Sequence, residues 1–155
     1  MKIFKLKKLI TASLLTMGLM TIGTGVSFAQ SQDLIIQGDH GKLAAVLQTP
    51  DGAKKYPLVI VCHGFTSNKD TKLMQTLAND LEKESIATLR FDFNGHGKSE
   101  GRFQDMTVLN EIEDAKKVYD YAAKLPNVTS ISLAGHSQGG VVASMTVGLL
   151  GTDKV

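Results

Sequence analysis

The segment Ile131-Ser132-Leu133-Ala134-Gly135-His136-Ser137-Gln138-Gly139-Gly140-Val141-Val142 decides how the rest of this chain is read. An apolar run ends at Ala134, the pentapeptide Gly135-His136-Ser137-Gln138-Gly139 follows, and a second apolar run extends from Val141 to Leu150. A serine with glycine two positions away on each side, set between a strand and a helix, has the form of a nucleophile elbow. The turn is so tight that a side chain at either flank would meet the neighbouring strand or helix, so glycine is the residue that fits. Such a turn lifts the Ser137 hydroxyl clear of the sheet. It also leaves the Gln138 N–H at a helix start, where an orphan donor and the positive end of the helix dipole stabilise a developing oxyanion. The plainer reading, an ordinary Gly/Ser turn, lacks a reason for apolar runs on both flanks.

Working back from the elbow, the chain alternates strands and helices. Leu34–Ile36 and Leu43–Leu47, around Gly38-Asp39-His40-Gly41, read as an antiparallel hairpin. Leu58–Cys62 is apolar without alternation, as a strand covered on both faces would be, and it exits into His63-Gly64-Phe65-Thr66. Leu73, Met74, Leu77, Ala78 and Leu81 recur at helical spacing. Ala87–Phe91 is the next strand, with Asp92–Ser99 as its glycine-rich exit loop. Val108, Ile112, Ala115, Tyr119, Ala122 and Leu125 form the stripe of a second helix, with Glu111, Glu113, Lys116 and Lys117 mostly off it, and Pro126-Asn127 ends it. The helix after the elbow is apolar on nearly every face and is expected to be buried. This order predicts a mostly parallel α/β sheet with helices on both faces, and a site beyond the strand carboxyl ends. The loops at 63–66, 92–99 and 135–139 all fall there.

Residues 1–29 have the pattern of an export signal. Four lysines lie within Met1–Lys8, Leu9–Val26 is mostly apolar and uncharged, and Ser27-Phe28-Ala29 offers small residues where a signal peptidase reads. Residues 30–155 are then the mature part, secreted or exported across the cytoplasmic membrane, with no membrane association once the signal is gone. Removing those four of the 17 basic residues leaves 13 against 15 acidic ones, a formal charge of −2 that argues against nucleic acid as a partner. The single cysteine, Cys62, allows no intrachain disulfide and reads as a small buried hydrophobe.

Acyl transfer by serine needs a nucleophile, a base, a group that orients the base, and oxyanion donors. Ser137 is the candidate nucleophile. The N–H groups of Gln138 and Phe65 are the candidate oxyanion donors, the latter in the loop after a strand, supported by His63 and Gly64. Gly135, His136 and Gly139 frame the elbow. His63 and His96 lie in glycine-flanked loops and are read as bracketing backbone, His40 as a solvated turn residue, and Asp92 as a brace for the Asn94–Ser99 loop. In this arrangement the carboxylate and then the histidine follow the serine, and no histidine follows Ser137 in this sequence. No metal or cofactor is required. Gly95, Gly97 and Gly101 do not have dinucleotide-loop spacing.

The runs His63-Gly64-Phe65-Thr66-Ser67-Asn68-Lys69, Phe91–Gly97, Met106–Glu111 and Gly135–Gly140 together resemble the bacterial feruloyl (cinnamoyl) esterases, a branch of the α/β-hydrolases. The resemblance covers about residues 57–150. It implies an α/β-hydrolase fold cut short after the elbow helix, and hydrolysis of a small-molecule hydroxycinnamate ester. It also implies Ser137 as nucleophile, and Phe65 and Gln138 as oxyanion donors. The family's catalytic Asp and His, and its inserted lid, have no counterpart in the sequence. Other readings stay open: a lipase-like esterase or a serine peptidase on the same fold, or an inactive truncated product. The oligomeric state is not specified. The strand at 130–134 is expected to lie at an open sheet edge, with poor solubility or association as the consequence.

Overall fold

A computed structural model describes residues 30–155; the expected export signal at 1–29 lies outside the described residues. Five strands and three α-helices run in the order β1 (Gln30–Gln37), β2 (Lys42–Thr49), β3 (Tyr56–Cys62), α1 (Lys72–Lys83), β4 (Ala87–Phe91), α2 (Val108–Ala122), β5 (Val128–Gly135) and α3 (Gln138–Leu150). The sheet order is β1-β2-β4-β3-β5. Strands β4, β3 and β5 are parallel, and the β1–β2 hairpin adds to β4 in antiparallel sense. This is the expected α/β-hydrolase arrangement, with the hairpin making the sheet mixed.

Strand alternation divides the packing between two faces. Leu43, Ala45 and Leu47 of β2, Leu58, Ile60 and Cys62 of β3, and Ala87, Leu89 and Phe91 of β4 join Ile112, Ala115 and Val118 of α2 and Val142 and Ala143 of α3 in one core. The opposite face carries α1, which buries Met74 and Ala78. That side combines the buried Val46 and Val61 with polar groups: Gln48 donates to Asn79 at 3.0 Å and Glu82 at 3.1 Å, and the buried Arg90 donates to the Lys69 carbonyl at 2.8 Å.

Local chemistry sets the helix ends. The Thr107 hydroxyl accepts the Asn110 N–H at 3.1 Å and caps α2. At the end of α1, Ser85 turns left-handed, while the Ser85 N–H bonds Glu82 O and the Ile86 N–H bonds Leu81 O. That closing pattern sends the chain straight into β4.

Two sequence expectations are corrected. Helix α3 is not buried all round: Val142, Ala143 and Thr146 face the core, but Val141, Met145 and Leu149 are 52%, 44% and 65% exposed. Uniform hydrophobicity carries no direction, so no solvent face of α3 can be read from its residues, and packing chose one. Glu111 is not off the packed face of α2; it is 2% exposed. Strand β5 does lie at the sheet edge among the described residues, paired with β3.

Candidate active site

The carboxyl ends of β3, β4 and β5 present three loops side by side. Ser137 has φ 54° and ψ −124°, one of three non-glycine residues with positive φ among the described residues. Such a conformation costs on the order of 1–3 kcal/mol and persists only where the surroundings enforce it. Two glycines do so by close approach. A Cβ on Gly139 would sit 2.3 Å from the carbonyl oxygens of Cys62 and His63, and one on Gly135 would sit 2.1 Å from the Gly139 carbonyl oxygen. The elbow and β3 are in backbone contact, fixed by the His136 N–H donating to Cys62 O at 3.1 Å.

The same contact brings the loop after β3 against the serine. A Cβ at Gly64 would lie 3.2 Å from Ser137 Cβ and 3.3 Å from His136 Nδ1, so Gly64, His136 and Ser137 form one cluster. Phe65 follows at the rim, 53% exposed, and Thr66 next to it is also left-handed, at φ 55°. Neither the Phe65 N–H nor the Gln138 N–H donates to a backbone carbonyl among the described residues. The site residues expected from sequence, His63, Gly64, Phe65, Gly135, His136, Ser137, Gln138 and Gly139, are thus brought together by β3, β5 and the start of α3.

His63 is 1% exposed and links two loops. Its Nε2 accepts the Phe93 N–H at 3.2 Å, which places the proton on Nδ1, and Nδ1 donates to Gly64 O at 2.9 Å. Burial holds its pKa below the ordinary histidine value. It bridges backbone as a neutral ring. Asp92 is completely buried and accepts the N–H groups of Lys69 at 2.7 Å and Lys98 at 2.8 Å, with Lys69 Nζ at 3.4 Å. It braces the 92–99 loop, as expected, by tying it to the loop before α1. Cys62 is buried, and burial together with the nearby Glu111 charge pushes its thiol up to about 12, so it stays protonated and inert.

An aromatic row adjoins these loops. The ring centroids of His63 and His96 are 5.0 Å apart, those of His96 and Phe103 5.1 Å, and those of Phe103 and Phe65 5.5 Å. The row runs from the buried His63 to two partly exposed phenyl rings. The His96 Nδ1 donates to Asn94 O at 3.2 Å. None of these ring contacts reaches the Ser137 hydroxyl, and no side-chain hydrogen bond from His63 or His96 does either.

Two residues that sequence reasoning missed stand behind the site. Glu111 accepts the Gln138 side-chain N–H at 2.8 Å; burial raises its pKa, while that hydrogen bond and the His96 charge pull it down. Asp114, fully buried, accepts the Asn94 N–H at 2.8 Å and pins the loop after β4. The signal was available: Glu111 and Asp114 interrupt the buried face made by Ile112, Ala115, Val118 and Ala122, and charged residues at such positions are retained for a partner.

The parallel strands, the strained serine between β5 and α3 and the loop packed against it define the α/β serine hydrolase class. Residues 53–154 match the serine aminopeptidase S33 (Hydrolase_4) family, and the chain belongs to that family. The structure of Est1E from Butyrivibrio proteoclasticus with ferulic acid bound aligns at TM-score 0.76 and 38% identity, covering 79% of this chain and 49% of that one. An alpha-beta serine hydrolase homologue from Coxiella burnetii aligns at TM-score 0.67 and 32% identity, covering 75% and 56%. Among curated proteins, a 31.7 kDa protein from the traX–finO intergenic region of Escherichia coli is 33% identical over 100 residues, 63% of this chain and 35% of its own length. The chain therefore spans about half the length of these solved structures and about a third of that curated relative.

Proposed function

We propose that this chain carries the nucleophile and oxyanion-binding part of a secreted serine esterase acting on hydroxycinnamate esters. The observation that carries the reading is the strained Ser137, held in backbone contact with the Gly64–Phe65 loop. In the proposed reaction the Ser137 Oγ attacks the ester carbonyl carbon and passes its proton to a base. The carbonyl π electrons move onto oxygen, and the N–H groups of Phe65 and Gln138 hold that oxyanion. Collapse expels the alcohol, which takes the proton, and leaves the acyl group on Ser137. Water then repeats the sequence, releasing the acid and restoring the hydroxyl.

His63 and His96 bond backbone carbonyls and do not reach Ser137, and this chain covers only about half of the matched solved structure, so the base and its orienting carboxylate are assigned to the part of the fold that this chain does not cover. The aromatic specificity is supported by the likeness to Est1E, whose structure holds ferulic acid, and by the exposed Phe65 and Phe103 rings beside the elbow. Export is supported by the pattern of residues 1–29.

The test compares methyl ferulate hydrolysis by the 155-residue chain and by a form extended past Val155. The extended form is expected to be faster by about 10³-fold or more, since a serine site without its base keeps only the residual catalysis of oxyanion hole and binding. Equal rates would sink the assignment of the base. A panel of cinnamoyl, short-acyl and peptide substrates on the extended form separates the hydroxycinnamate reading from a lipase-like esterase or a peptidase.

A further inference from the structure

We propose that Glu111 is a positioning residue for the oxyanion amide of Gln138, acting as a strut between α2 and the first residue of α3. The inference rests on the oxyanion reading above and adds to it a residue on a different helix. Gln138 has two amide groups with different fates. Its side-chain Nε2 donates to Glu111 Oε2 at 2.8 Å and lies 3.7 Å from Met106 Sδ, whereas its backbone N–H donates to no backbone carbonyl among the described residues. One residue is therefore tethered by its tip and offers its main chain.

The tether has a physical purpose. Ser137 is held at positive φ, and the turn relaxes unless it is restrained from both sides. On the strand side, the restraint comes from His136 N–H to Cys62 O and from the close approach of Gly139 to Cys62 and His63. On the helix side the backbone supplies only Gly139 N–H to His136 O and Gly140 N–H to Ser137 O, bonds local to the turn itself. The Glu111–Gln138 bond connects the start of α3 to another element. Glu111 is a suitable anchor because it sits 2% exposed in the first turn of a helix that Thr107 caps. Burying a carboxylate there opposes folding. A role in fixing an amide within a few tenths of an ångström of its working place gives that burial a function.

The test uses Glu111→Gln, which keeps an acceptor of the same shape, Glu111→Leu, which removes it, and Gln138→Met, which removes the donor but keeps the backbone N–H. The first readout is the NMR order parameter of the residue 138 amide. It is expected near the rigid value of about 0.85 in wild type and Glu111→Gln, and below about 0.7 in Glu111→Leu. The second is saturation kinetics of Ser137 phosphonylation by a fluorophosphonate in the form extended past Val155; the phosphoryl oxygen gains negative charge during attack and uses the same donors. Glu111→Leu and Gln138→Met are expected to lower the maximal rate by roughly tenfold or more with the half-saturating concentration unchanged. The double variant is expected to lose no more than either single one. An order parameter unchanged in Glu111→Leu, or losses that multiply in the double variant, would overturn the strut. A form extended past Val155 that does not label at Ser137 would instead overturn the esterase reading, with the order parameter still deciding the role of Glu111.

Discussion

Replacing Asp114 with asparagine tests the electrostatics behind the site with a sign as well as a size. Asp114 is fully buried, its Oδ2 accepts the Asn94 N–H at 2.8 Å, and its Oδ1 has no partner among the described residues. Burial is the main cause that raises this carboxyl from 3.8 to about 6; the Asn94 bond and His40 work against the rise, and Glu111 and Asp39 add to it. In that interval the folded chain holds a proton that the unfolded chain has released. The contribution of Asp114 to stability is therefore complete below pH 3.8 and is lost as pH rises through about 6. The whole loss is about 3 kcal/mol. Asparagine keeps an acceptor for Asn94 and never ionises.

The assay is urea unfolding of wild type and Asp114→Asn across the acidic and neutral range at constant ionic strength. The variant is expected to match wild type below the unfolded carboxyl value. Its advantage is expected to grow through the acid range and to level off at about 3 kcal/mol near neutrality. Asp114→Ala separates charge from hydrogen bonding, because it also strands the Asn94 N–H and is expected to lose about 1–3 kcal/mol relative to Asp114→Asn at every pH. A difference between Asp114→Asn and wild type that is flat with pH, or that grows as pH falls, refutes the reasoning.

Three further outcomes are expected. His63 has its pKa depressed by burial, so its contribution is present above pH 6.5 and is lost as pH falls through the lower folded value; His63→Phe should weaken that acid limb and cost about 2–4 kcal/mol at neutral pH through two orphaned backbone groups, as read by urea melts. Gly139→Ala drives a methyl to 2.3 Å from two carbonyl oxygens, and should cost about 3 kcal/mol or more and abolish fluorophosphonate labelling of the form extended past Val155; retained labelling would mean that the elbow tolerates displacement from β3. Met145→Lys with Leu149→Lys places charges on the uncovered side of α3, and should raise the ammonium sulfate concentration needed for precipitation while changing stability by less than about 0.5 kcal/mol.

Much of the site was legible because its determinants are local. The elbow needs small residues at fixed offsets from a serine, and Gly135 and Gly139 supply them within five residues. The strands before it are apolar over lengths that only a covered sheet position explains, and the helices between them keep helical spacing. The glycine neighbours of His63 mark it as a bracket for backbone, but its second partner, the Phe93 N–H, lies 30 residues away and no pattern points to it. An apolar stripe by itself leaves Glu111 off the packed face of α2, and a buried carboxylate there makes sense only once Gln138 faces it.

The sequence by itself determined the order of strands and helices, the elbow and the loops destined for the carboxyl end of the sheet, since each follows from hydrophobic period and steric need within a few residues. Tertiary structure alone decided which side of α3 meets the core, that Gly64 lies against Ser137, that Glu111 and Asp114 tie α2 to the site loops, and that Asp92 reaches Lys69. Those outcomes depend on pairs 20 or more residues apart. A buried charge or a uniformly apolar helix acquires direction only from the neighbour that folding brings to it.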